Sequence, residues 1–297
     1  MSSSHLRYLM NLPKFDYFEP KTVEEACQLL NQYQDEAKVM AGGTDLLVAM
    51  KQREISPRYV VSIKSIDGLN YIRCNGSGEL EIGAATKLRD IEESETVNEK
   101  FPLVARAAGE TGPPTIRNVA TMAGNFCSAL PAADSAPLMI CLGAKVKIQG
   151  SKGIRTVNLE DFFTGSKKNA LQGDEILTEI QVPPSPAKTA GAYAKNTERS
   201  NTDIAVVSAA VVITMDETGS KAAEVKIVLG ATAPTPMRAL RAESVVRGKA
   251  ITDALIEEAA LVASEEAIPR TRYEYKRQLV KVLTSRALKQ AVENLKG

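Results

Sequence analysis

Two stretches containing glycine decide how this chain is interpreted: Ala41-Gly42-Gly43-Thr44-Asp45-Leu46-Leu47, and Thr121-Met122-Ala123-Gly124-Asn125 followed by Pro131-Ala132-Ala133-Asp134. We refer to residues 41–47 as the first glycine segment and to residues 121–125 as the second glycine segment. Each begins where an apolar stretch ends. Because glycine has no side chain, backbone N–H groups there can approach a diphosphate closely. The two segments therefore predict a site for a large cofactor that carries phosphate.

The residue types of the first glycine segment suit this role, but a plain turn explains them as well. Gly42 and Gly43 permit positive φ angles, and Thr44 adds a hydroxyl donor. A Gly-Gly pair after a strand is more often only a turn. The Gly-x-Gly-x-x-Gly of a dinucleotide-binding Rossmann unit is absent, which disfavours that fold.

Length and composition predict a soluble globular protein with two domains. A chain of 297 residues exceeds what most single hydrophobic cores hold. The residues are 44% hydrophobic and 25% charged, with a formal net charge of +1. That balance gives no general reason to expect nucleic acid or an anionic membrane as a partner. The longest apolar run, residues 204–213, is about half of the roughly 20 residues needed to span a bilayer. We therefore expect no membrane span and a cytoplasmic location.

Histidine and cysteine usage restricts the possible chemistry. The single histidine, His5, lies in a polar leader, residues 1–12, that we expect to be flexible. This excludes catalytic arrangements built on histidine and metal sites with histidine ligands. The cysteines are scattered without a C-x-x-C pair and predict neither a disulfide framework nor a metal site; they are Cys27, Cys74, Cys127 and Cys141. A redox cofactor that brings its own reactivity fits this inventory.

The first half of the chain reads as alternating helices and strands. Thr22-Val23-Glu24-Glu25 has the form of a capping box and predicts a helix that continues to Tyr33. Further strands are predicted at 38–41, 59–63 and 80–84, and helices at 88–92 and 103–108.

An antiparallel pattern begins after Asp134. Residues 145–149 and 155–157 alternate around a turn at 150–153, which predicts a hairpin. The cluster Pro183-Pro184-Ser185-Pro186 cannot join a sheet and predicts a linker between domains. Beyond it we predict strands at 193–195, 204–215 and 225–229, followed by helices at 237–246, 253–263 and 272–295.

Ordered motifs along nearly the whole chain carry a resemblance to one family. Besides the two glycine segments and residues 131–134 they are Ile116-Arg117-Asn118, Asp161-Phe162-Phe163-Thr164-Gly165, Glu175-Ile176-Leu177-Thr178-Glu179-Ile180, Tyr193-Ala194-Lys195, Pro234-Thr235-Pro236-Met237-Arg238-Ala239 and Glu274-Tyr275-Lys276-Arg277. With these motifs the chain resembles the FAD-binding medium subunit of the molybdenum hydroxylases, the xanthine and carbon monoxide dehydrogenase family.

The resemblance implies an α+β fold. It predicts a two-lobed FAD-binding domain of the vanillyl-alcohol-oxidase (PCMH) type over residues 13–184, with the lobes divided near 67–75. A C-terminal α+β domain with an antiparallel sheet and helices would follow over residues 187–297. Neither a catalytic residue nor a metal ligand is implied on this chain.

The resemblance also implies which residues contact FAD. The first pyrophosphate loop would comprise Val39, Met40, Ala41, Gly42, Gly43, Thr44, Asp45 and Leu46. The second would use Thr121, Ala123, Gly124 and Asn125, and the remaining contacts would come from Asp134, Ile176, Leu177, Tyr193 and Lys195. The family commonly has glycine at the position of Ala123. Because alanine does not adopt the positive-φ region without strain, we expect the donor amides of the second loop to differ slightly from the family's.

Several of these residues have an ordinary structural explanation that stays open. Asp134 would accept hydrogen bonds from the adenosine side of FAD, or act as a helix N-cap before Ser135. Ile176 or Leu177 would contact the flavin, or simply fill a strand core. Tyr193 would stack on the isoalloxazine ring, or be a half-buried strand tyrosine. Lys195 would stabilise negative charge on the reduced flavin, or be a solvated surface group.

The function implied is electron transfer within a larger complex. A large partner subunit would hold the molybdenum cofactor, and a small one two [2Fe-2S] clusters, in a dimer of heterotrimers. FAD on this chain would pass electrons from the clusters to NAD or another acceptor. Two alternatives remain open: a self-contained FAD-dependent oxidoreductase on the same fold, and an FAD-free interaction module that keeps the glycine segments as turns.

Overall fold

The computed structural model describes residues 11–200 and 202–296. The predicted leader lies outside the described residues except for positions 11 and 12, and so does His5. None of the helices in the described part of the chain is both long enough and apolar enough to cross a membrane.

The N-terminal elements form a small parallel sheet with a helix against it. Its strands lie in the order β1-β3-β2. The bounds are β1 Asp16–Phe18, α1 Val23–Tyr33, β2 Ala37–Met40, α2 Leu46–Lys51 and β3 Tyr59–Ser62. The predicted helix start is confirmed: Thr22 is the N-cap of α1, and its Oγ1 accepts a hydrogen bond of 3.1 Å from the Glu25 amide. The Glu25 carboxylate accepts from the Lys21 amide at 2.8 Å instead of from the Thr22 amide of a complete capping box.

A second group of elements surrounds a five-stranded antiparallel sheet. The bounds are β4 Ile72–Cys74, β5 Leu80–Gly83, α3 Leu88–Glu93, α4 Glu95–Lys100, α5 Pro102–Gly109, α6 Pro114–Arg117, α7 Met122–Ser128, α8 Ser135–Cys141, β6 Lys145–Gly150, β7 Gly153–Asn158, α9 Leu159–Phe162, β8 Phe163–Gly165, β9 Lys168–Asn169 and β10 Ile176–Val182. The sheet order is β4-β5-β10-β6-β7, and β8 and β9 pair separately. The predicted hairpin is confirmed as β6 and β7, which pair antiparallel from Lys145 to Asn158.

The C-terminal elements form a four-stranded antiparallel sheet covered by helices. The bounds are β11 Thr189–Asn196, β12 Val207–Met215, β13 Ala222–Gly230, β14 Met237–Arg238, α10 Leu240–Val246, α11 Asp253–Glu266 and α12 Tyr273–Asn294. The strand order is β11-β12-β13-β14.

Two predicted elements of this region are wrong in part. The strand expected from 204 begins only at Val207, because Ile204 is 73% exposed and lies outside the sheet. The helix expected over 237–246 begins only at Leu240. Met237 and Arg238 instead pair with Leu229 and Val228 as an edge strand, so tertiary pairing overrides the local helical pattern here.

The C-terminal sheet is buried on both faces. Along β13, Val225, Ile227 and Leu229 belong to a core that contains residues of the C-terminal helices. Val228 points the other way and belongs to the core of the N-terminal two-thirds of the chain. Helix α8, whose seven residues are all buried, packs against β12 and β13 on that second face.

Candidate functional site

The two glycine segments meet in the folded chain. A Cβ atom placed on Gly42 would lie 2.4 Å from the carbonyl oxygen of Val119, just before the second segment. A Cβ atom placed on Gly124 would lie 3.9 Å from the Cβ of Ala41. The backbones therefore approach each other more closely at Gly42 than any side chain would allow.

The first glycine segment connects β2 to α2 by a sharp turn. Gly43 has φ +78°, a conformation that only glycine adopts without strain. Leu47 donates its amide to the Gly43 carbonyl at 2.9 Å and so closes the turn. The expectation of positive φ at both glycines is wrong for Gly42. Glycine is needed at position 42 because a Cβ atom there would overlap Val119.

A row of backbone donors lies free along this turn. None of the amide N–H groups from Gly42 to Leu46 donates a hydrogen bond to a backbone acceptor within residues 11–200 or 202–296. The Asp45 side chain does not cap α2 either. Residues 41–46 are half-buried or exposed, so this turn lies at the surface of the protein. Consecutive free N–H groups beside a glycine turn suit an anionic group such as a diphosphate.

The second glycine segment is the first turn of a helix rather than a loop. Thr121 is the N-cap of α7, and its Oγ1 accepts the Gly124 amide at 2.9 Å. Ala123 lies in this helix, where alanine fits without strain, so its departure from the family's glycine does not distort the backbone. Asn125 Oδ1 accepts a hydrogen bond of 2.6 Å from Ser135 Oγ and joins α7 to α8.

Asp134, Tyr193 and Lys195 form one buried cluster between α8 and β11. The Tyr193 hydroxyl donates to Asp134 Oδ1 at 3.0 Å, and Lys195 Nζ donates to Asp134 Oδ2 at 3.3 Å. Lys195 Nζ also donates to the carbonyl of Glu110 at 2.7 Å. Glu110 was missed, since nothing in its sequence context marks it as a partner of a lysine 85 residues away.

Burial sets the electrostatics of this cluster. Asp134 is 7% exposed and the Lys195 side chain 5%, which excludes the alternative that Lys195 is a solvated surface group. Burial raises the pKa of Asp134, while the Lys195 charge and the hydrogen bonds from Tyr193 and Lys195 oppose that rise. Burial, followed by the Asp134 charge, raises the pKa of Tyr193 well above its usual value. Tyr193 is therefore a neutral hydrogen-bond donor at neutral pH.

The cluster changes the interpretation of Asp134. Its side chain makes no cap hydrogen bond to α8, although the residue stands at the N-cap position. Both carboxylate oxygens bind residues of β11 instead. The three side chains are thus in direct contact, while the assignment of Asp134 to the adenosine side of FAD, and of Tyr193 and Lys195 to the flavin, stays a prediction.

Val39 and Met40 lie in β2, whereas Ile176 and Leu177 lie in the five-stranded sheet beneath α7. Ile176 and Leu177 are buried core residues of β10, and Leu177 pairs with Ile148. Helix α7 packs against β10, which places these residues near the second segment. Their side chains are explained by the core, and a backbone contact to a cofactor stays a prediction. Among the described residues, no three His, Cys, Asp or Glu side chains are grouped so as to hold a metal ion.

Two family models match the chain. The FAD binding domain in molybdopterin dehydrogenase matches residues 13–185. The CO dehydrogenase flavoprotein C-terminal domain matches residues 192–291.

Known relatives align with this chain over nearly their full lengths. The carbon monoxide dehydrogenase medium chain of Hydrogenophaga pseudoflava is 35% identical over 283 residues, covering 94% of this chain and 97% of the relative. The glyceraldehyde dehydrogenase medium chain of Sulfolobus acidocaldarius is 31% identical and covers 94% and 98%. The xanthine dehydrogenase FAD-binding subunit of Escherichia coli is 30% identical and covers 93% and 95%.

Solved structures agree with the fold. A chain of the H. pseudoflava carbon monoxide dehydrogenase that lacks the Mo-pyranopterin moiety superposes with a TM-score of 0.91 at 35% identity, covering 96% of this chain and 99% of that one. A chain of quinoline 2-oxidoreductase from Pseudomonas putida 86 superposes with a TM-score of 0.89 at 28% identity, with the same coverage.

Proposed function

The chain belongs to the family of FAD-binding medium subunits of molybdopterin dehydrogenases, the carbon monoxide and xanthine dehydrogenase type, and from this premise we propose which of its residues hold the flavin. It is the FAD subunit of a molybdenum-containing oxidoreductase complex. Bound FAD supplies the exchange between one-electron and two-electron carriers. The residues of this chain supply binding, orientation and electrostatics.

In our proposal the diphosphate of FAD lies along the surface where the two glycine segments meet. Residues 39–46 would bind it mainly through the free N–H groups from Gly42 to Leu46, and these donors are the single observation that carries the proposal. The other side of the site would be formed by the second glycine segment, through Thr121, Ala123, Gly124 and Asn125. These residues come just after Val119, whose carbonyl oxygen faces Gly42. The Thr44 hydroxyl adds a further donor.

The flavin end of the cofactor would adjoin the Asp134 cluster. Lys195 would supply a positive charge that stabilises negative charge on the reduced ring system, and the buried surroundings strengthen that effect. Tyr193 would lie beside the ring, because it is buried and its hydroxyl is held by Asp134. We assign Asp134 to holding these two side chains, because both of its oxygens are engaged by them. Ile176 and Leu177 would contribute through the backbone of β10.

The partners we propose are a large subunit with the molybdenum cofactor and a small subunit with two [2Fe-2S] clusters, in a dimer of heterotrimers. The external acceptor would be NAD or another electron carrier. We propose that the complex works in the cytoplasm. The four cysteines are free thiols, which suits a reducing compartment.

Isolation of the native complex tests this proposal. The preparation is assayed for flavin by its absorption spectrum, for molybdenum and iron by elemental analysis, and for co-purifying chains by mass spectrometry. We expect one FAD per copy of this chain, together with both metals and two partner chains. Flavin without either metal would favour a self-contained oxidoreductase, and a colourless protein would favour an interaction module.

A further inference from the structure

We infer that Arg117 is a positioning residue that holds the second glycine segment in register with the first. Its guanidinium forms a two-pronged pair with Glu92: Nε donates to Oε2 at 2.8 Å and Nη2 donates to Oε1 at 3.1 Å. Nη1 donates to the carbonyl of Gly112 at 2.5 Å. The Arg117 side chain is 9% exposed and the Glu92 side chain 27%, so the guanidinium is buried while the carboxylate is partly in contact with water.

The helices that Arg117 joins are too short to be stable without contacts to the rest of the protein. Helix α6 has four residues and α3 has six, and isolated helices of such lengths are not stable in water. Gly112, in the turn before α6, has φ +65°. Arg117 ties this turn, the end of α6 and the end of α3 to one another.

Helix α3 holds the stretch before the second glycine segment at two points. At its start, the Leu88 amide donates to the Ala120 carbonyl at 2.9 Å. One turn later, Glu92 binds Arg117. Between these two anchors lies Val119, whose carbonyl oxygen is the atom that faces Gly42. The Arg117 pair therefore fixes the distance between the two glycine segments.

This inference rests on the proposed function, because it assumes that the diphosphate lies where the segments meet. In our proposal Arg117 does not contact the cofactor and acts through Val119 and Ala120. Lysine cannot replace it, since a single ammonium cannot satisfy both Glu92 oxygens and the Gly112 carbonyl in this planar arrangement. Loss of the pair should then weaken FAD binding more than it weakens the fold.

The chain offers a matched control in the C-terminal sheet. Arg238 Nε donates to Glu243 Oε1 at 3.0 Å and Nη2 donates to Oε2 at 2.6 Å, which reproduces the two-pronged geometry. Arg238 lies in β14 and Glu243 in α10, both outside the glycine segments and the residues that precede them. Arg238→Lys therefore reports what the loss of such a pair does to stability alone.

The experiment compares Arg117→Lys and Arg238→Lys in the full-length chain. FAD affinity is measured by flavin fluorescence titration of the deflavinated protein, and stability by thermal unfolding without FAD. We expect Arg117→Lys to weaken FAD binding by about tenfold, the equivalent of one charge-assisted hydrogen bond. Arg238→Lys should change the FAD affinity less than about twofold at a comparable loss of thermal stability. Equal effects of the two variants on FAD affinity would overturn the inference.

Two further measurements separate this inference from the proposed function. Amide hydrogen exchange over residues 118–125 of the FAD-free chain, measured relative to exchange in the rest of the core, should accelerate in Arg117→Lys and keep its wild-type ratio in Arg238→Lys. Unchanged exchange in Arg117→Lys would refute the positioning role. Glu92→Gln, which keeps the shape of the side chain, should weaken FAD binding non-additively with Arg117→Lys; additive effects would contradict a shared pair. A wild-type chain that binds no FAD, while exchange still responds to Arg117→Lys, would refute the site proposal and leave the positioning intact.

Discussion

Gly42 and Gly43 are neighbours in the chain, yet each is glycine for its own physical reason. Gly43 adopts a left-handed backbone at φ +78°. Gly42 has an ordinary φ but no space for a side chain, since a Cβ atom would overlap the Val119 carbonyl. A residue pattern indicates that a glycine pair matters. It does not indicate which glycine is required for a positive φ angle and which is required because there is no space for a side chain.

Gly42→Ala tests the requirement for proximity. The added methyl group must push residues 119–120 away, which we expect to cost about 1–3 kcal/mol in the free energy of unfolding. FAD affinity should fall at least tenfold, because the two segments separate. Gly76→Ala is the control, since a Cβ there meets nothing within 4 Å and φ is not positive. Unchanged FAD affinity in Gly42→Ala, measured by fluorescence titration, would show that the diphosphate lies elsewhere.

Tyr193→Phe tests the buried cluster. The change removes the donor to Asp134 Oδ1 and leaves a buried carboxylate with one partner fewer, so the free energy of unfolding should fall by about 1–2 kcal/mol. Tyr17→Phe provides the comparison, because the hydroxyl of Tyr17 makes only a long, exposed contact of 3.4 Å to Glu19. Urea unfolding measures both variants. A Tyr193→Phe chain as stable as the Tyr17→Phe chain would mean that the cluster adds no net stability.

At the scale of elements, local signals predicted some helices and strands correctly, were overridden by tertiary pairing at Met237 and Arg238, and did not reveal distant contacts. The α1 helix follows from its capping box and the β6–β7 hairpin from its alternation, because both depend on neighbouring residues. The helical start at Thr121 was missed, although Thr121 is a favourable N-cap, since the glycine-containing stretch was read as a loop. The Asp134 cluster joins residues about 60 positions apart, and no single-sequence pattern encodes such a pairing.

The family, the fold class and the FAD cofactor were predicted correctly from several motifs that occur in the family's order. No single motif would have been enough. The predicted domain limits, the lobe division near 67–75 and the assignment of residues to FAD stay predictions. Physical packing explains why: the same buried β10 side chains serve the core whether or not a cofactor lies above them.

Arg155→Met tests how β7 is tied to the connection between β9 and β10. Arg155 binds both oxygens of Glu175, at 2.8 Å and 2.7 Å, and this hydrogen bonding holds the Glu175 pKa below its usual 4.5. A lowered folded-state pKa adds stability above the unfolded pKa and loses it as the pH falls through the folded value. At pH 7 the free energy of unfolding of the wild type should exceed that of Arg155→Met by about 1 kcal/mol. The value is modest because Arg155 is partly exposed.

The pH dependence of that difference is the deciding measurement. Urea unfolding at pH 7 and at about pH 3.5 should show the gap between wild type and Arg155→Met narrowing on acidification, as Glu175 becomes protonated. Arg58→Met, which removes an exposed pair with Glu36, should differ little from wild type at either pH. A gap of constant size would mean that Arg155 stabilises the sheet through its packing and its bond to the Ala170 carbonyl.

At the scale of the whole molecule, the two matched family regions share a hydrophobic core. Four residues of the C-terminal sheet pack with the core residues of the N-terminal two-thirds of the chain: Tyr193, Ala210, Val212 and Val228. The sulfur of Cys141 in α8 lies 3.6 Å from the Ala210 carbonyl oxygen. The Asp134 cluster spans the same boundary. Such continuous burial favours unfolding as one unit, which would keep the proposed phosphate and flavin contacts in fixed relation.

Val228→Ala and Val225→Ala together test this cooperativity. Both valines are fully buried in β13, but Val228 faces the N-terminal core and Val225 faces the C-terminal helices. Each change should lower the free energy of unfolding by about 2 kcal/mol, from lost apolar burial and the cavity left behind. If the molecule unfolds as one unit, calorimetry should show a single transition for both variants, and amide exchange should accelerate in both cores by the same factor. Two separated transitions, or acceleration confined to the C-terminal helices in Val225→Ala, would mean that the shared core does not couple the two regions.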